Sequence, residues 1–112
     1  MLGLILIYLA ASNIQPREVR LSEITSELIG RTVTTSGKII YKSFHPAGHI
    51  FLTVSDGKGK LQVPLFAGFV NKLDDADDFK KGIKIEVTGL VEEYRGSLQV
   101  VPRKVGDIKI LR

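Results

Sequence analysis

Five residues in one short stretch have the chemistry to hold a nucleotide. They are His49, Phe51, Thr53, Lys60 and Gln62, within HIFLTVSDGKGKLQVPLF, residues 49–66. A ring that stacks on a base, a cation that meets its phosphate, and hydroxyl and amide groups for its edges are the parts that single-strand binding uses. Spacing decides whether the five can act together. Ile50, Leu52 and Val54 alternate with the first three, and Leu61, Val63 and Leu65 alternate with the other two. Period-two alternation marks strands with one buried face, and Asp56-Gly57-Lys58-Gly59 between the two runs marks a hairpin. The polar set and Phe51 then share the opposite face. The contrary reading is that Phe51 is covered, by the N-terminal segment or by a second copy.

The elements that must position this hairpin lie on both sides of it. A chain of 112 residues with 44% hydrophobic and 25% charged residues is enough for one modest core. There is no Cys, which excludes disulfides, thiolate metal sites and a Cys nucleophile. The formal net charge is +4 and is unevenly placed. Residues 1–16 carry no charge, residues 17–66 carry seven basic against four acidic, residues 67–82 three against four, and residues 83–112 six against four. Positive charge thus belongs to the predicted strands, which tilts the domain towards polyanions.

The chain divides into residues 1–16, an apolar segment and linker, and residues 17–112, the folded domain. MLGLILIYLAA is shorter than the about 20 apolar residues a bilayer span needs and lacks the basic start of a secretory signal. Three readings compete: part of a truncated membrane anchor, a retained signal-like segment, or an element packing on the domain or on another copy. The location is accordingly cytoplasmic or membrane-associated, with membrane binding or self-association through residues 1–12.

Residues 17–20 start an extended approach, and LSEITSELIG gives a short helix capped by Ser22, or a turn anchored by Ile24 and Leu28. RTVTTSGKIIYKSF is a long strand with Val33, Thr35, Gly37, Ile39 and Tyr41 on one face, and Gly37 marks a bulge or tight bend. After the hairpin, Phe69, Val70 and Leu73 fit a short helix before an acidic turn. Ile83, Ile85, Val87, Gly89 and Val91 return to alternation, Tyr94-Arg95-Gly96-Ser97 forms a second hairpin turn, and residues 98–101 and 107–111 add strands. The fold class is all-β with a short helix: five strands in a small barrel, which leaves few exposed edges.

Several segments carry a resemblance. They are IGRTV (29–33) with SGKI (36–39), HIFLTVSD (49–56), LQVPLF (61–66), GIKIEVTGLV (82–91) and YRGSLQVVP (94–102). Over about residues 19–111 the chain resembles the OB-fold nucleic-acid-binding domains, in the group related to the anticodon-binding domain of aminoacyl-tRNA synthetases. It is also similar to small archaeal and bacterial proteins with an apolar N-terminal segment before one such domain. The resemblance implies a five-stranded Greek-key OB-fold barrel that binds single-stranded DNA or RNA with weak sequence preference. The alternative is a membrane-tethered OB-fold interaction module for a protein or glycan. Strands two and three and the flanking loops form the binding face of such barrels. Carried onto this sequence, that face takes Lys38, Lys42, Phe44, His49, Phe51, Thr53, Lys58, Lys60, Gln62, Tyr94 and Arg95, with Tyr41 and His45 beside them. Phe44 and Tyr41 fit a core role better than a binding one, and the parity of Tyr41 places it among the buried residues.

No catalytic residue, cofactor or small-molecule substrate is expected. Gly-x-Ser-x-Gly, a phosphate loop and His-Glu-x-x-His are all absent from the sequence. His45 and His49 lie four apart with no third ligand in view, so no metal site is assigned. The run with Asp74, Asp75, Asp77 and Asp78 lacks the Gly and Glu of a calcium loop, and is expected to be a solvated face that repels nucleic acid.

Overall fold

A computed structural model describes residues 16–111. The apolar segment and most of its linker, with the readings attached to residues 1–12, lie outside the described residues. The strands are β1 (Arg17–Glu18), β2 (Thr32–Phe44), β3 (Ile50–Ser55), β4 (Lys60–Leu65), β5 (Lys84–Tyr94), β6 (Ser97–Val101) and β7 (Ile108–Ile110). One helical turn, α1 (Ala67–Val70), follows β4. The order around the barrel is β2-β3-β4-β6-β5, and β5 closes back on β2. The β4–β6 contact is parallel, through Gln62 and Gln99, and the other four contacts are antiparallel. β1 and β7 extend the sheet at its two edges.

β2 serves two sides of the barrel because it bends. Thr32 to Lys38 pair with β5, Lys38 to Phe44 pair with β3, and Lys38 faces a partner on each side. Gly37 sits at this crossing. A Cβ there would stand 2.9 Å from the Ser55 carbonyl oxygen and 3.0 Å from Leu21 Cδ1, so a side chain is excluded by close approach. The register slip comes three residues later: Ile39 faces Val54, but Tyr41 already faces Thr53. The extra residue, Ile40, reverses the parity of everything after it. Tyr41 is therefore 61% exposed, which corrects its expected burial, and Phe44, at 71%, is exposed as well.

Inside the barrel, Val33, Ile39, Leu52, Val54, Val63 and Ile85 are fully buried, each contributing about 1.5–3 kcal/mol of apolar burial. The expected helix at LSEITSELIG is two 3-10 turns, Leu21–Glu23 and Ser26–Leu28, with Leu21 and Ile24 buried. The connection from β4 to β5 holds α1 and a 3-10 turn at Ala76–Asp78, and it inserts Phe79 into the core at 1% exposure. Asp74, Asp75, Asp77 and Asp78 are all exposed.

Candidate nucleic-acid interface

The outer face of the hairpin is built in rows by the strand register. Ser43, Phe51 and Pro64 form one row across β2, β3 and β4, and Tyr41, Thr53 and Gln62 form the next, with Gln99 of β6 beside Gln62. The Thr53 hydroxyl donates to Gln62 Oε1 at 3.2 Å. Lys38, Ser55 and Lys60 make a third row towards the hairpin tip.

A cleft of about 530 Å³ opens over the first row, between the β2–β3 loop and the β5–β6 turn. Phe51 and Pro64 line its centre, His45, His49 and Phe66 one side, and Tyr94, Arg95 and Gln99 the other. It continues into a shallower groove of about 300 Å³ that reaches Gln62 and Ser97. Aromatic rings surround the first cleft. His49 lies 6.0 Å from Phe51 and 5.5 Å, edge-on, from Phe66, and His45 lies 5.3 Å from His49, between centroids. Among the described residues, no carboxylate lines either cleft and Arg95 is the cation at the rim.

Local hydrogen bonds fix this arrangement. The loop His45–His49 closes when the His45 N–H donates to the His49 carbonyl, 2.9 Å, and the Gly48 N–H donates to the His45 carbonyl, 2.8 Å. The Ala47 N–H donates to His45 Nδ1 at 3.1 Å, and the Ala67 N–H to His49 Nδ1 at 2.9 Å. His49 thus satisfies an otherwise unpaired donor at the start of α1, and its ring proton falls on Nε2. Across the cleft, Arg95 and Gly96 are the central residues of the β5–β6 turn, with φ of 52° and 79°. Positive φ at both positions is the type I′ form that suits a two-residue hairpin. The Arg95 guanidinium lies 5.2 Å from the Tyr94 ring centroid.

At the hairpin tip, Asp56 accepts the N–H groups of Lys58 and Gly59 on Oδ1 and that of Ser22 on Oδ2. Donation from Gly59 and Lys58, then Ser22, holds its carboxyl well below the usual carboxylate range.

Of the expected residues, His49, Phe51, Gln62, Tyr94 and Arg95 meet at the two clefts, and Thr53 stands in the adjoining row. Lys38 and Lys60 lie farther along the face, while Lys58 lines a groove with Arg20 and Ser22 at the tip. Lys42 and Phe44 are placed elsewhere. The bulge gives them the parity of Leu52 and Ile50; Lys42 Nζ donates to the Ala76 carbonyl at 3.3 Å and lies 5.1 Å from the Phe44 ring. Pro64, Phe66 and Gln99 join the cleft without having been expected there. Gln99 arrives through the parallel β4–β6 contact, for which the local sequence carries no signal; Pro64 and Phe66 were signalled by sitting beside the hairpin face. Among the described residues, no group of three His, Cys, Asp or Glu side chains is placed to hold a metal ion.

A closed five-stranded barrel with an aromatic-lined, carboxylate-free cleft on its outer face defines a small binding module. The chain belongs to the tRNA anti-codon family, the OB-fold nucleic acid binding domain, whose family model matches residues 33–108. It is thus an OB-fold nucleic-acid-binding domain. Among curated proteins, none matches the chain. Its fold is similar to the asparaginyl-tRNA synthetase of Pyrococcus horikoshii, with 21% identity, a TM-score of 0.68, and coverage of 88% of this chain and 24% of the synthetase. It is similar to the S. pombe Stn1–Ten1 complex at 20% identity and TM-score 0.61, covering 72% of this chain and 58% of that one. An OBody bound to hen egg-white lysozyme matches with 22% identity and TM-score 0.67, over 88% of this chain and 94% of the OBody. The chain therefore spans little more than half of the Stn1–Ten1 chain and about a quarter of the synthetase.

Proposed function

We propose that this domain binds single-stranded DNA or RNA with weak sequence preference and performs no catalysis itself. The observation that carries the reading is convergence: Phe51, His49, Tyr94, Arg95 and Gln99, up to 50 positions apart, line one cleft. Phe51 and Tyr94 offer faces on which any base can stack, and Arg95 meets phosphate at the rim. Gln62 and Gln99 present amides that can hydrogen-bond base edges at the floor of the groove. Both histidines of the cleft accept a backbone N–H on Nδ1, which uses them as structural posts. Membership of the nucleic-acid-binding family supports this reading over a protein or glycan ligand, although the OBody bound to lysozyme is a protein-binding use of the same fold.

The test is a titration of the full chain with a fluorescein-labelled twelve-nucleotide single strand and with the matching duplex, at 50 and 200 mM NaCl. The expected result is preference for the single strand and an affinity that falls with salt. Absence of binding at 50 mM refutes the proposal.

A further inference from the structure

A second concentration of positive charge lies four residues along β3 from Phe51. Lys38 faces Lys84 of β5 on one side and Ser55 of β3 on the other, and Ser55 faces Lys60 of β4. Lys84, Lys38, Ser55 and Lys60 thus form one outward-facing row across four strands, with all three lysines exposed. Like charges directly opposed on one sheet face destabilise the sheet. Two carboxylates lie near the row. Asp56 accepts three backbone N–H groups, and Glu86, opposite Ser36, has Lys109 of β7 facing it on the other side. A cleft of about 500 Å³ lies against Lys38 and Lys84, with Ser36, Ser55 and Asp56 also lining it. The two lysines at this cleft outnumber the Asp56 carboxylate that shares it, and the surplus positive charge is a site that an anion completes.

We infer that the Lys38–Lys60–Lys84 row holds phosphates of the same strand whose bases stack at Phe51, so that the bound strand runs along β3. This rests on the reading of the Phe51 cleft as a stacking site. Four residues of β3 cover about 13 Å, a distance matched by about four stacked nucleotides. The row extends the footprint from the loop end of the barrel to the hairpin tip, and it brings in Lys84, a residue far from the hairpin in sequence.

The test compares the full chain with Lys84→Gln and Lys84→Arg, titrating a labelled twelve-nucleotide single strand from 50 to 200 mM NaCl. Loss of one phosphate contact lowers the slope of log affinity against log salt by about 0.7. Lys84→Gln is expected to show that loss and Lys84→Arg to keep the parental slope. Removing one of two opposed charges leaves the thermal midpoint equal or higher, so misfolding cannot imitate the effect. A parental slope in Lys84→Gln, with binding intact, overturns the inference and leaves the stacking site standing. A lowered slope in both variants overturns it too, because charge is then not the cause. No binding by the parent chain overturns the inference together with the reading beneath it.

Discussion

Arg95 is held in a conformation that costs the fold energy, and replacing it should separate stability from binding. Its φ of 52° lies in the left-handed region, which costs an ordinary L-residue about 1–2 kcal/mol. Asn tolerates that region and is favoured in the type I′ turn that Arg95 and Gly96 form. The arginine recovers part of the cost through Tyr94, since an exposed cation–π contact at 5.2 Å returns about 0.5 kcal/mol. Arg95→Asn therefore gains about 0.5–1 kcal/mol net, or about 2–6 °C in melting temperature for a domain of this size. Binding moves the other way: loss of one phosphate contact lowers the salt slope by about 0.7. Denaturant unfolding of the full chain, paired with oligonucleotide titration of the same samples, measures both. A less stable Arg95→Asn, or one that binds with parental affinity and slope, refutes this opposition of stability and binding at Arg95.

Two further outcomes follow from single atoms. Asp56 favours its ionised form in the fold, so its stabilisation is present in full above its ordinary pKa of 3.8 and declines as pH falls below that value. The stability gap between the parent and Asp56→Ala should accordingly be constant from pH 5 to 7 and narrow below 3.8, as followed by urea unfolding at each pH. Thr35 is 2% exposed, and its hydroxyl has no hydrogen-bond partner among the described residues. Thr35→Val keeps the shape and removes the orphan, and should raise unfolding stability by about 1 kcal/mol in the same assay.

The barrel was legible because its strands alternate plainly, with turn residues between them. Asp56-Gly57 and Arg95-Gly96 mark two of the hairpins in the sequence, and both turns form where they stand. What escaped was register. The bulge at Ile40 reverses parity beyond it, sending Tyr41 out and turning Lys42 and Phe44 away from the Phe51 row. The adjacent pair Ile39-Ile40, which interrupts the alternation, was the available signal. Phe79 escaped because Asp78 and Lys80 flank it; its burial comes from a 3-10 turn packing on the barrel, a tertiary effect. The cleft was half legible. His49, Phe51 and Gln62 lie on one hairpin, whereas Gln99 reaches them only when the β4–β6 contact closes the barrel.

Base stacking on Phe51 is the claim most directly open to measurement. Phe51→Ala, verified as folded by circular dichroism, is titrated with the labelled twelve-nucleotide strand alongside the parent chain across the same salt range. Loss of one stacked base costs about 1–3 kcal/mol, so affinity should fall about 5- to 150-fold at every salt concentration while the salt slope stays at the parental value. Parental affinity in Phe51→Ala, or a loss that appears only as a changed salt slope, contradicts the stacking site.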